Sequence, residues 1–243
     1  MSLLGLSPGV VLAIALAVLV GAFVQAVVGL GVGLITAPVI AVLAPELVPS
    51  LPLWFGLFVA GVSFFGEREH VDWPAIGWSL PARVPGTALG VWLVVVFTPE
   101  QLGVALGLTV LLAVLLSVRS VSVPITRATL VGAGFTSGVT GTATSIGGPP
   151  IALLFQHRRP SEARSTLAVF FFLGVVLSLS ALGLSGEIPV ESLLIALLLA
   201  PLMAVGIRVG IQVRDDVPRA RFRQLVLVVC AFAAVVLLVK SVA

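Results

Sequence analysis

The chain has 243 residues, of which 59% are hydrophobic and only 9% are charged, and its formal net charge is +3. A soluble domain carries about 25% charged residues, so this composition argues against a water-soluble fold and indicates an integral membrane protein. The basic residues lie beside apolar stretches and form no basic face, which excludes a nucleic-acid-binding protein.

Ten apolar segments follow one another along the chain, separated by charged or Pro-rich stretches. In chain order, helices are predicted over 8–28, 36–46, 50–66, 74–97 and 100–118 in the first half, and over 128–141, 149–157, 165–185, 191–213 and 222–240 in the second. The first segment lacks a preceding basic region and a cleavage site, so we expect it to be a membrane helix and not a removed signal. A helix needs about 20 residues to cross the bilayer.

The second segment of each half is too short to cross, and it follows a Gly-rich stretch that ends at Pro38 or Pro150. The first two segments of each half are therefore predicted to form a re-entrant or broken-helix hairpin. We assume that the N-terminus lies outside and that three full crossings follow each hairpin. Ten arginines then lie on the inner side, which agrees with the excess of Lys and Arg in cytoplasmic loops. These are Arg68, Arg119, Arg127, Arg158, Arg159, Arg164, Arg214, Arg219, Arg221 and Arg223. Lys240 is the one loop cation on the outer side.

The two halves match weakly but in order. Phe23, Gly29 and Pro38 match Phe135, Gly141 and Pro150 at one offset, and Pro81, Gly86 and Gly90 match Pro201, Gly206 and Gly210 at another. Three crossings per half place the second half upside down. Shared Gly and Pro composition is the alternative explanation of the matches. The Gly86–Gly90 and Gly206–Gly210 spacings predict close helix packing inside the chain, with subunit contacts as the alternative.

The predicted fold is thus an all-α integral membrane protein with two inverted repeats, each made of a re-entrant or broken-helix hairpin plus three full transmembrane helices. Residues 1–119 form the first membrane repeat, 120–126 a cytoplasmic linker, and 127–243 the second membrane repeat. The chain carries only two histidines, one cysteine (Cys230) and no nucleotide-binding GxxxxGK[ST] motif. We therefore expect no catalytic site and no metal, and so neither an enzyme nor a self-contained ATP-driven pump.

The Gly-rich turns are the first candidate site. Glycine and proline interrupt helices at a cost, because freed backbone groups lose their partners away from water. Neighbouring hydroxyls can cap the broken ends, or the exposed N–H groups and helix ends can bind an anion. The candidate substrate-binding residues are Gln25, Gly29, Gly31, Gly33 and Thr36 in the first half and Thr136, Ser137, Thr140, Gly141, Thr144, Ser145, Gly147 and Gly148 in the second.

Arg83 is the second candidate. It lies ten residues after Trp73, which places it about 15 Å into the membrane, and its segment has no acidic residue. Such a cation must face a wet cavity, carbonyl groups or an anionic ligand, or else snorkel to the interface. Snorkelling suits Arg208 better, because Arg208 is only six residues from the cytoplasmic Arg214.

The stretches GLGVGLITAP, GFTSGVTGTATSIGGPPIALLF and PSEARSTLAVFFFLGVVLSL resemble the two half-motifs of the TauE/SafE family of sulfite exporters. The resemblance covers nearly the whole chain. It implies a secondary permease of the cell membrane that moves sulfite, organosulfonates or related small anions without a bound cofactor.

A secondary anion transporter is the leading functional hypothesis, in which the hairpins meet at the centre and one half rocks against the other. A non-transporting membrane scaffold or a subunit of an intramembrane complex is the alternative. The expected partners are a small anionic substrate and the lipid bilayer, with no nucleic acid. A coupling proton or cation and a homo-oligomer are left open.

Overall fold

The chain is almost entirely helical in the computed structural model, which describes residues 6–29, 32–66, 69–118, 123–214 and 216–242. Ten α-helices form within these ranges. They are α1 (Pro8–Val28), α2 (Gly33–Leu43), α3 (Ser50–Gly66), α4 (Trp73–Val96), α5 (Pro99–Val118), α6 (Arg127–Thr144), α7 (Gly148–Phe155), α8 (Pro160–Leu184), α9 (Val190–Val213) and α10 (Arg219–Val242). All ten predicted segments are confirmed as helices. The largest shift is at α8, which begins five residues before its predicted start because Pro160 opens the helix through a polar first turn.

Six of these helices, α1, α4, α5, α8, α9 and α10, are long and apolar enough to cross a membrane. The predicted number of six is confirmed, but the membership differs in the first half. There, α1 has 21 residues and reaches membrane length, whereas α3 has 17. At 1.5 Å per residue α3 spans only about 25 Å, because it is bounded by Pro49 and by the polar run that begins at residue 67.

A glycine-lined seam joins α4 to α6. A Cβ atom added to Gly86 would overlap the carbonyl oxygen of Phe135, and one added to Gly134 would overlap that of Ser79. One turn further along α4, a Cβ on Gly90 would lie 2.9 Å from the Val139 carbonyl oxygen. The two backbones are therefore in direct contact, which side chains at these positions would prevent.

A second seam of the same kind joins α1 to α9. A Cβ on Gly206 would lie 2.7 Å from the carbonyl oxygen of Leu19, and one on Gly210 would lie 2.8 Å from that of Phe23. Both glycine pairs thus face helices of the same chain. The prediction that they serve internal packing is confirmed.

The remaining surface of these helices is apolar and turned outward. On α4, Val84, Trp92 and Val95 are each more than half exposed, while the opposite face of the same helix is buried. An exposed apolar face of this extent is typical of a helix that contacts lipid.

Lys240, the cation on the predicted outer side, has a local role near the end of α10. Its Nζ atom donates a hydrogen bond to the carbonyl oxygen of Val42, in the last turn of α2. Cations are stabilised at the C-terminal end of a helix, where carbonyl groups carry partial negative charge. This contact accounts for a cation that departs from the distribution of the others.

Candidate anion site

The two Gly-rich turns end their first helices in the same way. Gly29 closes α1 with a φ of 76°, and Ser145 closes α6 with a φ of 62°. The Gly29 N–H donates to the carbonyl of Gln25 at 2.9 Å. Left-handed backbone at the C-terminus lets the chain reverse and start the short second helix. Gly31, another predicted site residue, lies outside the described residues.

The turns also touch each other. A Cβ on Gly33, the first residue of α2, would lie 2.9 Å from the carbonyl oxygen of Ser145. The Ser145 hydroxyl donates to the Pro49 carbonyl at 2.7 Å, just before α3. The tip of the second hairpin therefore contacts both the start of α2 and the entry to α3, as expected if the hairpins meet at the centre of the molecule.

Four predicted threonines use their hydroxyl hydrogens within their own helices. Thr36, Thr136, Thr140 and Thr144 each donate to the carbonyl four residues earlier, at 2.7–3.0 Å. Such bonds satisfy the hydroxyl hydrogen where no water is available. Thr136 is also exposed on the outer face of α6. In this structure the four hydroxyls bond within their own helices, and their role in binding a substrate stays a prediction.

Arg83 is brought into the protein interior. Its side chain is 2% exposed, and its Nη1 atom donates to Ser137 Oγ on α6 at 3.2 Å. The Ser137 hydroxyl in turn donates to the carbonyl oxygen of Gly147, at the start of α7. A hydrogen-bonded chain therefore runs from the guanidinium to the turn of the second hairpin. Arg208, by contrast, is exposed, as a snorkelling side chain would be.

Glycines provide the space for the guanidinium. A Cβ on Gly174 of α8 would overlap the Arg83 guanidinium, and one on Gly141 of α6 would lie 2.9 Å from Nη2. The Phe170 ring lies one turn before Gly174, with its centroid 5.1 Å from Arg83 Cζ. An aromatic face attracts a cation and partly offsets its loss of water. Arg83 is thus held by α6 on one side and by α8 on the other.

The charge of Arg83 is not balanced by an acidic side chain. Within the described part of the chain it forms no ion pair, and its buried Nε atom has no hydrogen-bond partner. Leaving a buried charge unpaired is costly, by several kcal/mol in a low-dielectric interior. The arrangement can therefore stabilise a small anion beside the guanidinium.

Several of the residues predicted from the sequence lie together around Arg83 in the structure. Of the predicted residues, Arg83, Ser137, Gly141 and Gly147 lie together, and Ser145 and Gly33 lie at the contact between the turns. Gly148 lies apart, against Phe171 of α8. The sequence prediction omitted Phe170 and Gly174, although both belong to the AVFFFLGVV stretch whose glycine is flanked by bulky residues.

Metal-ligating side chains do not gather anywhere in the described ranges, where no group of three or more His, Cys, Asp or Glu could hold an ion. His70 lies in the turn before α4 and His157 in the turn after α7, at separate loops.

Comparison with curated proteins and with solved structures gives no match. The family model of Sulfite exporter TauE/SafE, however, matches residues 13–237, which is most of the chain. The chain therefore belongs to the TauE/SafE family of sulfite exporters, which are transporters of the cell membrane and not enzymes.

Proposed function

We propose that this protein exports a small anion by alternating access, and that the anion is sulfite, an organosulfonate or a related sulfur-containing anion. Membership of the TauE/SafE family implies anion export. The proposed binding site is at the Arg83 guanidinium, because this group is buried and has no acidic partner in the described residues. An anion bound there would supply the missing charge.

The same proposal includes two inverted repeats, 1–119 and 127–243, joined by a linker at 120–126. The glycine seams support it, because they form equivalent contacts between the halves. Gly86 contacts the carbonyl of Phe135 while Gly206 contacts that of Leu19, and one turn later Gly90 contacts Val139 while Gly210 contacts Phe23. In each seam the fourth α-helix of one half packs on the first α-helix of the other half, α4 on α6 and α9 on α1.

These contacts favour a particular register for the repeat. They pair Leu19 with Phe135 and Phe23 with Val139, which is one helical turn away from the sequence match of Phe23 with Phe135. The same register pairs Gly29 with Ser145, the two residues with left-handed backbone at the turns. The helices that open the two hairpins therefore end alike, which supports the repeat. The sequence identities that first suggested it are shifted by four residues.

The anion site itself is not duplicated. The spacing that pairs Gly86 with Gly206 pairs Arg83 with Met203, which is also buried, at 1% exposure. One half therefore supplies a cation where the other supplies an apolar side chain. We infer one anion site per chain, built from Arg83 of the first half and from Ser137, Gly141 and Gly147 of the second.

The test is a flux assay in proteoliposomes that contain purified protein. Vesicles are loaded in turn with sulfite, thiosulfate, a two-carbon sulfonate and acetate, and efflux is followed with and without a pH gradient. Efflux of the sulfur-containing anions above protein-free vesicles is expected, with acetate slower. The pH gradient tests whether a proton is coupled to transport.

Equal efflux of acetate and sulfite would contradict the sulfur-containing substrate class. No efflux of any of the four anions, from protein that is monodisperse and inserted, would instead favour the non-transporting scaffold or complex subunit.

A further inference from the structure

Thr87 has a buried hydroxyl without a partner. The residue is 1% exposed, and its Oγ1 atom forms no hydrogen bond with any described residue. All other threonines of the chain lie in the described ranges and their hydroxyls are bonded. The bonds are those of Thr36, Thr98, Thr109, Thr126, Thr129, Thr136, Thr140, Thr142, Thr144 and Thr166.

Thr87 lies in the seam between α4 and α6. A helical threonine can donate to the carbonyl four residues earlier, which for Thr87 is the carbonyl of Arg83. Gly138 of α6 packs closely on this part of α4, since a Cβ on Gly138 would lie 2.5 Å from the Arg83 oxygen and 2.8 Å from the Thr87 nitrogen. At this contact the Thr87 hydroxyl does not bond the Arg83 carbonyl. An unsatisfied buried hydroxyl is destabilising unless something else accepts its hydrogen bond.

Thr87 lies one turn after Arg83 on the same buried face of α4. Residues four apart on a helix have Cβ atoms about 5–6 Å apart. The Arg83 Nε atom is likewise buried and without a partner. Both atoms carry a hydrogen to donate. This face of α4 therefore presents two unused donors, and the Thr87 oxygen can in addition accept a hydrogen bond.

The unpartnered polar atoms of the buried side chains can all donate a hydrogen bond. In the described residues they are Trp54 Nε1, Arg83 Nε and Thr87 Oγ1. The two nitrogens can only donate, so a ligand that satisfies Arg83 Nε must offer acceptor atoms. A halide offers one spherical acceptor, whereas an oxyanion offers separate oxygens that can reach two donors about one helical turn apart.

We propose that Thr87 contacts the transported anion together with Arg83, and that this pair selects oxyanions with at least two acceptor oxygens over halides. The inference rests on the proposed function, because it places the anion at Arg83. Arg83 supplies the charge that attracts any anion, and Thr87 supplies a hydrogen bond that a second oxygen accepts.

Sulfite binding by calorimetry on the purified, full-length protein tests the pair, with chloride as competitor. Thr87→Val removes the hydroxyl at nearly constant volume, Thr87→Ser keeps it, and Arg83→Gln removes the charge. Thr109→Val is the matched control, because the Thr109 hydroxyl is bonded within α5 to the Ala105 carbonyl at 2.7 Å.

Thr87→Val is expected to weaken sulfite binding about tenfold, as the loss of one hydrogen bond to a charged group would. The affinity for chloride, obtained from the competition, should be unchanged. Thr87→Ser should bind sulfite with an affinity within about twofold of the wild-type value. Thr109→Val should bind sulfite as tightly as the wild type. The melting temperature of Thr87→Val should not fall, because the lost hydroxyl has no partner in the protein.

The outcomes separate this inference from the proposed function. Wild-type sulfite affinity in Thr87→Val, together with lost binding in Arg83→Gln, would overturn the role of Thr87 and leave the anion site in place. An equal loss for sulfite and chloride in Thr87→Val would overturn the selection of oxyanions. Unchanged binding in Arg83→Gln, or no sulfite binding by the wild type, would overturn both.

Discussion

The Nη1 atom of Arg83 donates a hydrogen bond to the hydroxyl of Ser137 at 3.2 Å, and this bond joins α4 in the first half of the chain to α6 in the second. The Ser137 hydroxyl donates a hydrogen bond to the Gly147 carbonyl. The Ser137 side chain therefore connects the guanidinium to the turn of the second hairpin.

Replacing Arg83 should weaken anion binding. Arg83→Gln removes the charge but keeps a hydrogen-bonding group, so we expect a loss of about 1.5–3 kcal/mol, the value of one charge-assisted hydrogen bond. Arg83→Lys should recover part of the affinity, since it restores the charge without the planar donor geometry. Calorimetric titration with sulfite measures both.

Arg208→Gln is the matched control for this prediction, because Arg208 is an exposed arginine on α9. It should bind like the wild type. Equal affinities for wild type and Arg83→Gln, at unchanged thermal stability, would show that Arg83 takes no part in binding.

Gly174→Ala should disturb the site without changing any polar group. The added Cβ overlaps the position of the guanidinium, so either the guanidinium or α8 must move. Overpacking of this kind costs about 1–3 kcal/mol of folding free energy, and we expect sulfite efflux to fall with it. Thermal unfolding and efflux are measured on the same preparation.

Gly183→Ala on the same helix is its control, because the new Cβ would lie 3.6 Å from Ile188 Cδ1, an ordinary contact. That variant should be as stable as the wild type or slightly more so. Normal efflux and stability in Gly174→Ala would mean that α8 does not enclose the guanidinium.

Gly147→Val should abolish transport while leaving the protein inserted. A side chain at Gly147 would meet the Ser137 carbonyl oxygen, which lies 2.7 Å from the Cβ position, and a β-branched group cannot turn away. Gly132→Val on α6 serves for comparison, since its Cβ has no neighbour within 4 Å. Wild-type efflux by the Gly147 variant would remove this turn from the transport mechanism.

The topology is tested by single-cysteine labelling in a Cys230→Ala background. Cysteines at Arg68, Arg119, Arg159 and Arg221 should all react only from the cytoplasmic side, because cationic loops are retained there. Arg68 and Arg119 lie outside the described residues, and labelling gives the side of the membrane on which each lies. Reaction of any of the four with an impermeant reagent outside intact cells would contradict the inverted repeat.

The helices were predictable because the length of an apolar segment and the Pro or charged residues that bound it are local properties of the chain. Arg83 was also identifiable, since a cation ten residues inside an apolar segment stands out. Thr87 was not, because nothing local to α4 indicates that its hydroxyl is buried without a partner at the contact with α6. Phe170 and Gly174 were missed for the same reason: nothing local to α8 indicates that a guanidinium from α4 lies against them.

The threonines show what residue type leaves open. Thr36, Thr136, Thr140 and Thr144 crowd the turns in sequence, which favoured them as donors to a ligand, and in the structure each donates within its own helix. Residue type alone does not reveal whether a hydroxyl bonds locally. Their part in substrate binding stays a prediction.

The glycine seams tie the two halves of the sequence together. The backbones of α4 and α6 are in direct contact, as are those of α1 and α9. Each of these pairs takes one helix from each half of the sequence, so neither half packs as a separate bundle. A bulky substitution in either seam would therefore disturb the contact between the halves and not only the half that carries it.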